Sequence, residues 1–240
     1  MRLRSAVILP LLLAVLAAPA TPGSSDKGDP YADFDPVFRT VLERFDQAQE
    51  GVTSLSASFV EQKEIGLLKN TVVQEGRFYH TKPDKFLWEY VAPEPKMYLM
   101  NGKSLVAYYP RQKQAEEMQG RLSRKVVKFF GLGQIFADLR EYYDLSLSAD
   151  NTIEGTNLIV MKPKSKIVAK RLYEVRIWID SEMNQVSRLE YLETDGDRTT
   201  FTFDDIEVNP EIVLAKYEID LPADVRVSNS FSNFFTEKGR

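Results

Sequence analysis

His80 is the single histidine of this 240-residue chain, which holds no cysteine at all, so few of the side chains that carry catalysis are present. One imidazole makes no metal site by itself, and without a thiol there is no cysteine–histidine pair to activate a nucleophile. His80 shares one strand face with Phe78 and Lys82, a place that suits a hydrogen-bonded or rim-exposed side chain. The carboxylate pairs Asp204-Asp205 and Glu116-Glu117 read as solvated turns. No cofactor and no metal are expected, and no enzyme motif is present. Two basic clusters remain: Arg121, Arg124, Lys125 and Lys128 at helical spacing, and Lys162, Lys164, Lys166, Lys170 and Arg171 in one loop. They suit a solvated face, or a rim that steers docking to an acidic partner or to lipid phosphates. The formal net charge of −4 argues against nucleic acid as the partner.

The aromatic residues are arranged with far more order. Between Gly76 and Pro110, Phe86, Trp88 and Tyr90 alternate with Leu87, Glu89 and Val91, the period of a strand with one apolar face. Asn101-Gly102 between two apolar runs signals a hairpin, since a type I′ turn needs positive φ at both central residues. Further strands are expected at 57–64, 71–81, 97–100, 103–109, 143–149, 157–162, 172–180, 185–193, 199–207 and 216–221. In one of them Tyr173, Val175, Ile177 and Ile179 are placed on one face, with Glu174, Arg176 and Asp180 opposite. Short turns such as Asp195-Gly196 make the sheet antiparallel, and ten or eleven strands with one apolar face must curl.

Helices supply the cover. Asp35-Pro36 is an N-cap followed by proline at the first helical position, and Phe34, Val37, Phe38, Val41, Leu42 and Phe45 form a stripe behind it. Arg39, Glu43, Arg44 and Asp46 fall on the solvent side. Leu122, Val126, Phe129 and Phe130 form a second stripe ended by Gly131 and Gly133, and Ile135, Phe136 and Leu139 continue as a third short piece.

Ahead of this, Arg2 and Arg4, an apolar run from Val7 to Leu16 and Ala18-Pro19-Ala20 read as an export signal over residues 1–20. Residues 21–34 read as a flexible leader, 35–228 as one domain and 229–240 as a tail, where Phe231, Phe234 and Phe235 have helical spacing. The expected product is a soluble, monomeric protein outside the cytoplasm with no stable membrane insertion.

Leu55, Ala57, Phe59 and Gln62, then Gly76, Phe78, Lys82-Pro83, Phe86, Trp88, Tyr90 and Pro93, carry a resemblance. Asn101-Gly102-Lys103, Tyr109-Pro110 and the run from Tyr217 to Pro222, with Val225 and Val227, complete it. In this order they resemble the LolA family of periplasmic lipoprotein carriers. The resemblance implies an α+β, mainly β fold: an incomplete, open antiparallel barrel of about ten or eleven strands under a lid of about three helices, enclosing a hydrophobic cavity. It implies that acyl chains of triacylated lipoproteins, released by an inner-membrane ABC-type complex, are bound and passed to an outer-membrane lipoprotein acceptor. The candidate lining is Phe59, Phe78, Phe86, Trp88, Tyr90, Phe129, Phe130, Phe136, Ile177 and Ile179, residues that equally suit a filled core. The family often has Arg before the proline of the strand turn, bonded to the lid; here it is Lys82, a flexible stem in place of a rigid fork. Carriage has a physical reason, since at roughly 0.8 kcal/mol per CH₂ exposing about forty acyl CH₂ groups to water costs tens of kcal/mol. Other readings of the pattern are the same fold carrying a different lipid, or a sensing module that binds a protein.

Overall fold

The computed structural model describes residues 29–66, 70–102, 104–119 and 135–229. The expected signal peptide, Phe129 and Phe130, the basic cluster at 121–128 and the phenylalanines at 231–235 lie outside them.

The first helix, α1 (Pro36–Glu50), begins as its sequence demands. The Asp35 carboxylate accepts from the backbone N–H of Val37 and Phe38 at 3.0 Å each, meeting donors that the first turn leaves open. Phe38, Leu42, Phe45 and Gln49 point inward, while Val37 stands off this stripe and is 67% exposed. Asp46 is not on the solvent side: it is half-buried and holds a second helix, α2 (Phe136–Leu139). Its two carboxylate oxygens accept from Phe136 N–H at 2.7 Å and Ala137 N–H at 3.2 Å, and the Tyr31 hydroxyl donates to the same group. Burial pushes the Asp46 carboxyl above its ordinary range. Among the described residues these are the two α-helices, so two of the three expected lid pieces are present.

Among the described residues twelve strands form one sheet. They are β1 (Ser54–Ile65), β2 (Asn70–Thr81), β3 (Lys85–Ala92), β4 (Lys96–Asn101), β5 (Ser104–Tyr109), β6 (Gln114–Gln119), β7 (Tyr143–Leu147), β8 (Thr156–Pro163), β9 (Leu172–Asp180), β10 (Val186–Glu193), β11 (Arg198–Val208) and β12 (Arg226–Ser228). Their order is β12-β6-β5-β4-β3-β2-β1-β11-β10-β9-β8-β7, with β12 and β7 at the two edges of an unclosed sheet. All neighbours are antiparallel except β12 on β6. The sheet is therefore two meanders, β1–β6 and β7–β11, joined where β1 pairs with β11. It curls: β3 and β11 are three strand spacings apart, about 14 Å on a flat sheet, yet the Trp88 and Phe201 rings lie 5.5 Å apart.

Several expectations need correction. The segment at 216–221 is no strand; residues Leu214–Tyr217 form a 3₁₀ turn lying on the outer face of β3 and β4. There Tyr217 packs with Leu87 and Leu99, which explains how Leu87 is buried on the face away from Trp88. Glu116 and Glu117 are not a solvated turn but lie in β6, with Glu116 only 3% exposed. The hairpin between β4 and β5 turns one residue later than Asn101-Gly102: Asn101 still pairs with Ser104, and Gly102 takes the positive φ of 66°. Freed from the turn, the Asn101 side chain donates to the Tyr217 carbonyl at 3.1 Å and accepts from Lys85. In β9 a bulge opposite Leu192 and Glu193 turns Tyr173 outward, while Val175, Ile177 and Ile179 stay inside.

Candidate functional site

The concave face carries a continuous set of rings. Phe59 sits at its centre, with Trp88 at 4.9 Å, Tyr90 at 5.0 Å and Phe201 at 6.0 Å between centroids, mostly edge to face. Trp88 also meets Phe78 at 4.8 Å. The packing depends on a missing side chain. Phe59 and Tyr90 flank Gly76 on either side in register, and a Cβ on Gly76 would lie 2.4 Å from both the Phe59 ring and the Glu89 carbonyl oxygen. Glycine there is what lets the two rings meet across β2.

Of the ten residues expected to line the site, eight are described and all eight belong to this one buried cluster: Phe59, Phe78, Phe86, Trp88, Tyr90, Phe136, Ile177 and Ile179. The sequence reading passed over Phe45 and Phe203, although both already stood in recognised periodic runs. Phe45 brings α1 down onto Phe136 at 4.8 Å, and Phe203 lies opposite Phe59. A cleft between α1 and the sheet, lined by Phe45, Leu55, Ala57, Phe78, Val186 and Phe203 among others, has a free volume of only about 10 Å³, room for roughly one water. Pockets that engulf organic ligands run to several hundred Å³, so this cleft admits no such molecule unless side chains or α1 are displaced.

Polar contacts fasten the C-terminal end of α1 from two sides. The Lys82 ammonium donates to the Gln49 carbonyl at 2.7 Å, a favourable pairing of a cation with the negative end of a helix. The Gln49 amide donates to Gln185, at the β9–β10 turn, at 3.2 Å. His80 is fully packed nearby, stacked on Phe86 at 4.2 Å with rings 5° from parallel. Burial, aided by the Lys82 charge, pushes its imidazole down to about 4, so it is neutral at pH 7 and buried rather than rim-exposed. No group of three or more metal-ligating side chains occurs among the described residues.

Of the second basic cluster, Lys164 is tied down, donating to the Arg140 carbonyl at 2.6 Å, while Lys166, Lys170 and Arg171 are exposed.

One end of the concave face is polar, which sequence reasoning missed. Glu61, Lys63, Lys96 and Glu116 are each less than a tenth exposed and point inward beside Tyr90, Tyr98 and Tyr191. Charged letters read as solvent, but strand parity gave the signal: Glu61 and Lys63 follow Phe59 at even spacing, and Lys96 precedes Tyr98 and Met100 likewise.

A family model described as outer membrane lipoprotein carrier protein LolA matches residues 50–220, well over half of the chain. The chain belongs to the LolA family. Two curated relatives are both called outer-membrane lipoprotein carrier protein. That of Chromohalobacter salexigens is 28% identical over 182 residues, 75% of this chain and 82% of the relative; that of Cupriavidus pinatubonensis is 27% identical over 178 residues, 72% and 79%. Among solved structures, an uncharacterised conserved protein from Thermus thermophilus superposes with a TM-score of 0.54 at 12% identity, covering 81% of this chain and 99% of its own, a likeness of fold. The family match spans α1's last residue, every strand through β11 and the 3₁₀ turn that holds Tyr217. No helix among the described residues is long and apolar enough to cross a membrane.

Proposed function

We propose that this chain is a periplasmic carrier that binds the acyl chains of lipoproteins on its concave aromatic face and performs no chemistry on them. The observation that carries the reading is that face itself: a curled wall of rings, in a chain of the LolA family, covered by a helix rather than by a second sheet. The chains lie against Phe59, Phe78, Phe86, Trp88, Tyr90, Phe136, Ile177 and Ile179, with Phe129 and Phe130 assigned to the same lining from the sequence and the family resemblance. The eight described side chains fill their own space, which supports a site made by opening. Lys82 acts as the latch, because its bond to Gln49 holds the end of α1 nearest the cleft. Cargo favours the open arrangement to the extent that it binds it better, so a few modest polar contacts suit a lid that must also release. Loading from an inner-membrane ABC-type complex and delivery to an outer-membrane acceptor complete the cycle.

The test is to purify the protein from its native periplasm and identify what accompanies it by mass spectrometry. Triacylated polypeptide supports the carrier. Free lipid alone assigns the fold to another cargo, and a bare protein indifferent to added acyl chains overturns the reading.

A further inference from the structure

Lys96 is 8% exposed at the polar end of the concave face, on the strand position directly opposite Tyr90. Its ammonium lies 4.0 Å from the centre of the Tyr90 ring and 6.0 Å from that of Tyr98. These ring contacts are its interactions at close range, with no hydrogen-bond acceptor and no carboxylate within bonding reach among the described residues. Glu61 and Glu94 are near enough to be felt, with Lys63 acting against them, and Glu61 already accepts from the Gln74 amide at 3.5 Å. A ring face attracts the charge yet satisfies none of its three N–H donors. A buried ammonium in this condition is costly, and burial pulls the Lys96 amine below its ordinary range. Methionine of similar length would fill the place with no such cost. The fold therefore maintains an inward donor that its own packing does not use.

The donor is well placed for acyl cargo. Tyr90 joins the two ends of the face, with Lys96 against it on one side and Phe59, 5.0 Å away, beginning the aromatic layer. A chain lying across Phe59 and Trp88 brings its first carbon to the neighbourhood of Lys96. The matching group is an acceptor at the head of the chain, and with Lys63 and Lys96 facing Glu61 and Glu116 the charges at this end are already matched, which suits a neutral one. We propose that Lys96 donates to the ester carbonyls that join acyl chains to their glyceryl head, so that this site reads the linkage as well as the chain. The inference rests on the carrier reading above.

Ester-linked chains occur both in lipoproteins and in phospholipids, so two pairs of probes are needed. One is a dipalmitoylglyceryl-cysteine peptide and its dihexadecyl ether twin, the other dipalmitoyl phosphatidylglycerol and its ether twin. Affinities are read by displacement of a fluorescent acyl probe from the full-length mature protein. At least one pair should show the ester bound about tenfold more tightly, the effect of 1.4 kcal/mol from a bond to a charged donor. The pair that shows it identifies the source. Lys96→Met should bring that ratio to one while its melting temperature stays level or rises, and Lys96→Gln should recover part of the ratio. Equal binding of ester and ether by the unaltered protein refutes the inference and leaves the carrier standing, and so does a ratio that survives in Lys96→Met. Failure of every probe to bind removes both.

Discussion

Gly76→Ala is a one-methyl change that tests how the aromatic face is assembled. The added Cβ would lie 2.4 Å from the tip of the Phe59 ring and 2.4 Å from the Glu89 carbonyl oxygen, where ordinary contacts begin near 3.4 Å. Neither partner yields easily. The carbonyl belongs to the backbone of β3, and Phe59 is 2% exposed and wedged among Trp88, Tyr90 and Phe201. Overpacking of this kind costs about 1–3 kcal/mol, and the clash with fixed backbone places it at the upper end. The restricted unfolded chain returns about 0.4–1 kcal/mol, leaving a net loss of about 2 kcal/mol. For a domain of this size that lowers the melting temperature by about 4–8 °C. Urea and thermal unfolding followed by circular dichroism measure it. Phe59→Leu shortens the ring that collides, so the double variant should be at least about 1 kcal/mol more stable than the sum of the single losses. A Gly76→Ala protein within about 0.5 kcal/mol of the original, or strict additivity with Phe59→Leu, refutes the account of glycine as the gap that lets Phe59 meet Tyr90.

Two further outcomes follow from the polar groups beside the cleft. His80 has a folded value of about 4 against an ordinary 6.5, so between those limits the unfolded chain takes up a proton that the folded chain refuses. Stability therefore falls as pH drops through that window, by at most about 3 kcal/mol, and His80→Asn should show a shallower fall in urea titrations at pH 6.5 and 4; identical slopes refute it. Glu193 acts in the opposite sense, because burial raises it to about 7 and its contribution grows as pH falls from there towards 4.5, which is why the comparison is between variant and parent. Lys82→Met removes the bond to the Gln49 carbonyl, a part-buried pairing made by an exposed lysine that contributes about 1 kcal/mol. It should quicken entry of a fluorescent acyl probe in stopped flow with little change in unfolding midpoint, and unaltered entry refutes Lys82 as the latch.

Local chemistry made α1 readable, since Asp35-Pro36 specifies the start and the stripe from Phe38 to Phe45 specifies the buried side. The eight described residues expected to line the site, singled out by strand alternation, helical spacing and the family resemblance, all fall in one buried cluster. The failures share a cause. In β6 the alternation is inverted, with Glu116 inside at 3% exposure and Ala115 on the other face, so a polarity rule reads the strand as a turn. Tyr217-Glu218-Ile219-Asp220 has the alternation of a strand but docks through Tyr217 on the outside of β3 and β4, a tertiary contact that no local period reports. Lys82 reaching Gln49, thirty-three positions earlier, is also a tertiary contact, and it was the family resemblance rather than any local period that marked Lys82 as the lid contact.

The seam between β1 and β11 also bears on how the protein is made. Each meander is built from hairpins between neighbours in sequence, which form early and at small entropic cost. The seam instead joins residues such as Ser58 and Asp204, 146 positions apart, and the second meander meets β1 only through it. Phe201 and Phe203 arrive on that last long strand, so until it docks Phe59 has rings on one flank only. Closure of this pair should then be the slow step of refolding, and a chain ended before Arg198 should hold hairpins without a binding face. During synthesis the aromatic residues consequently stay uncovered until β11 has emerged, an interval in which they are themselves the kind of greasy surface that needs a chaperone.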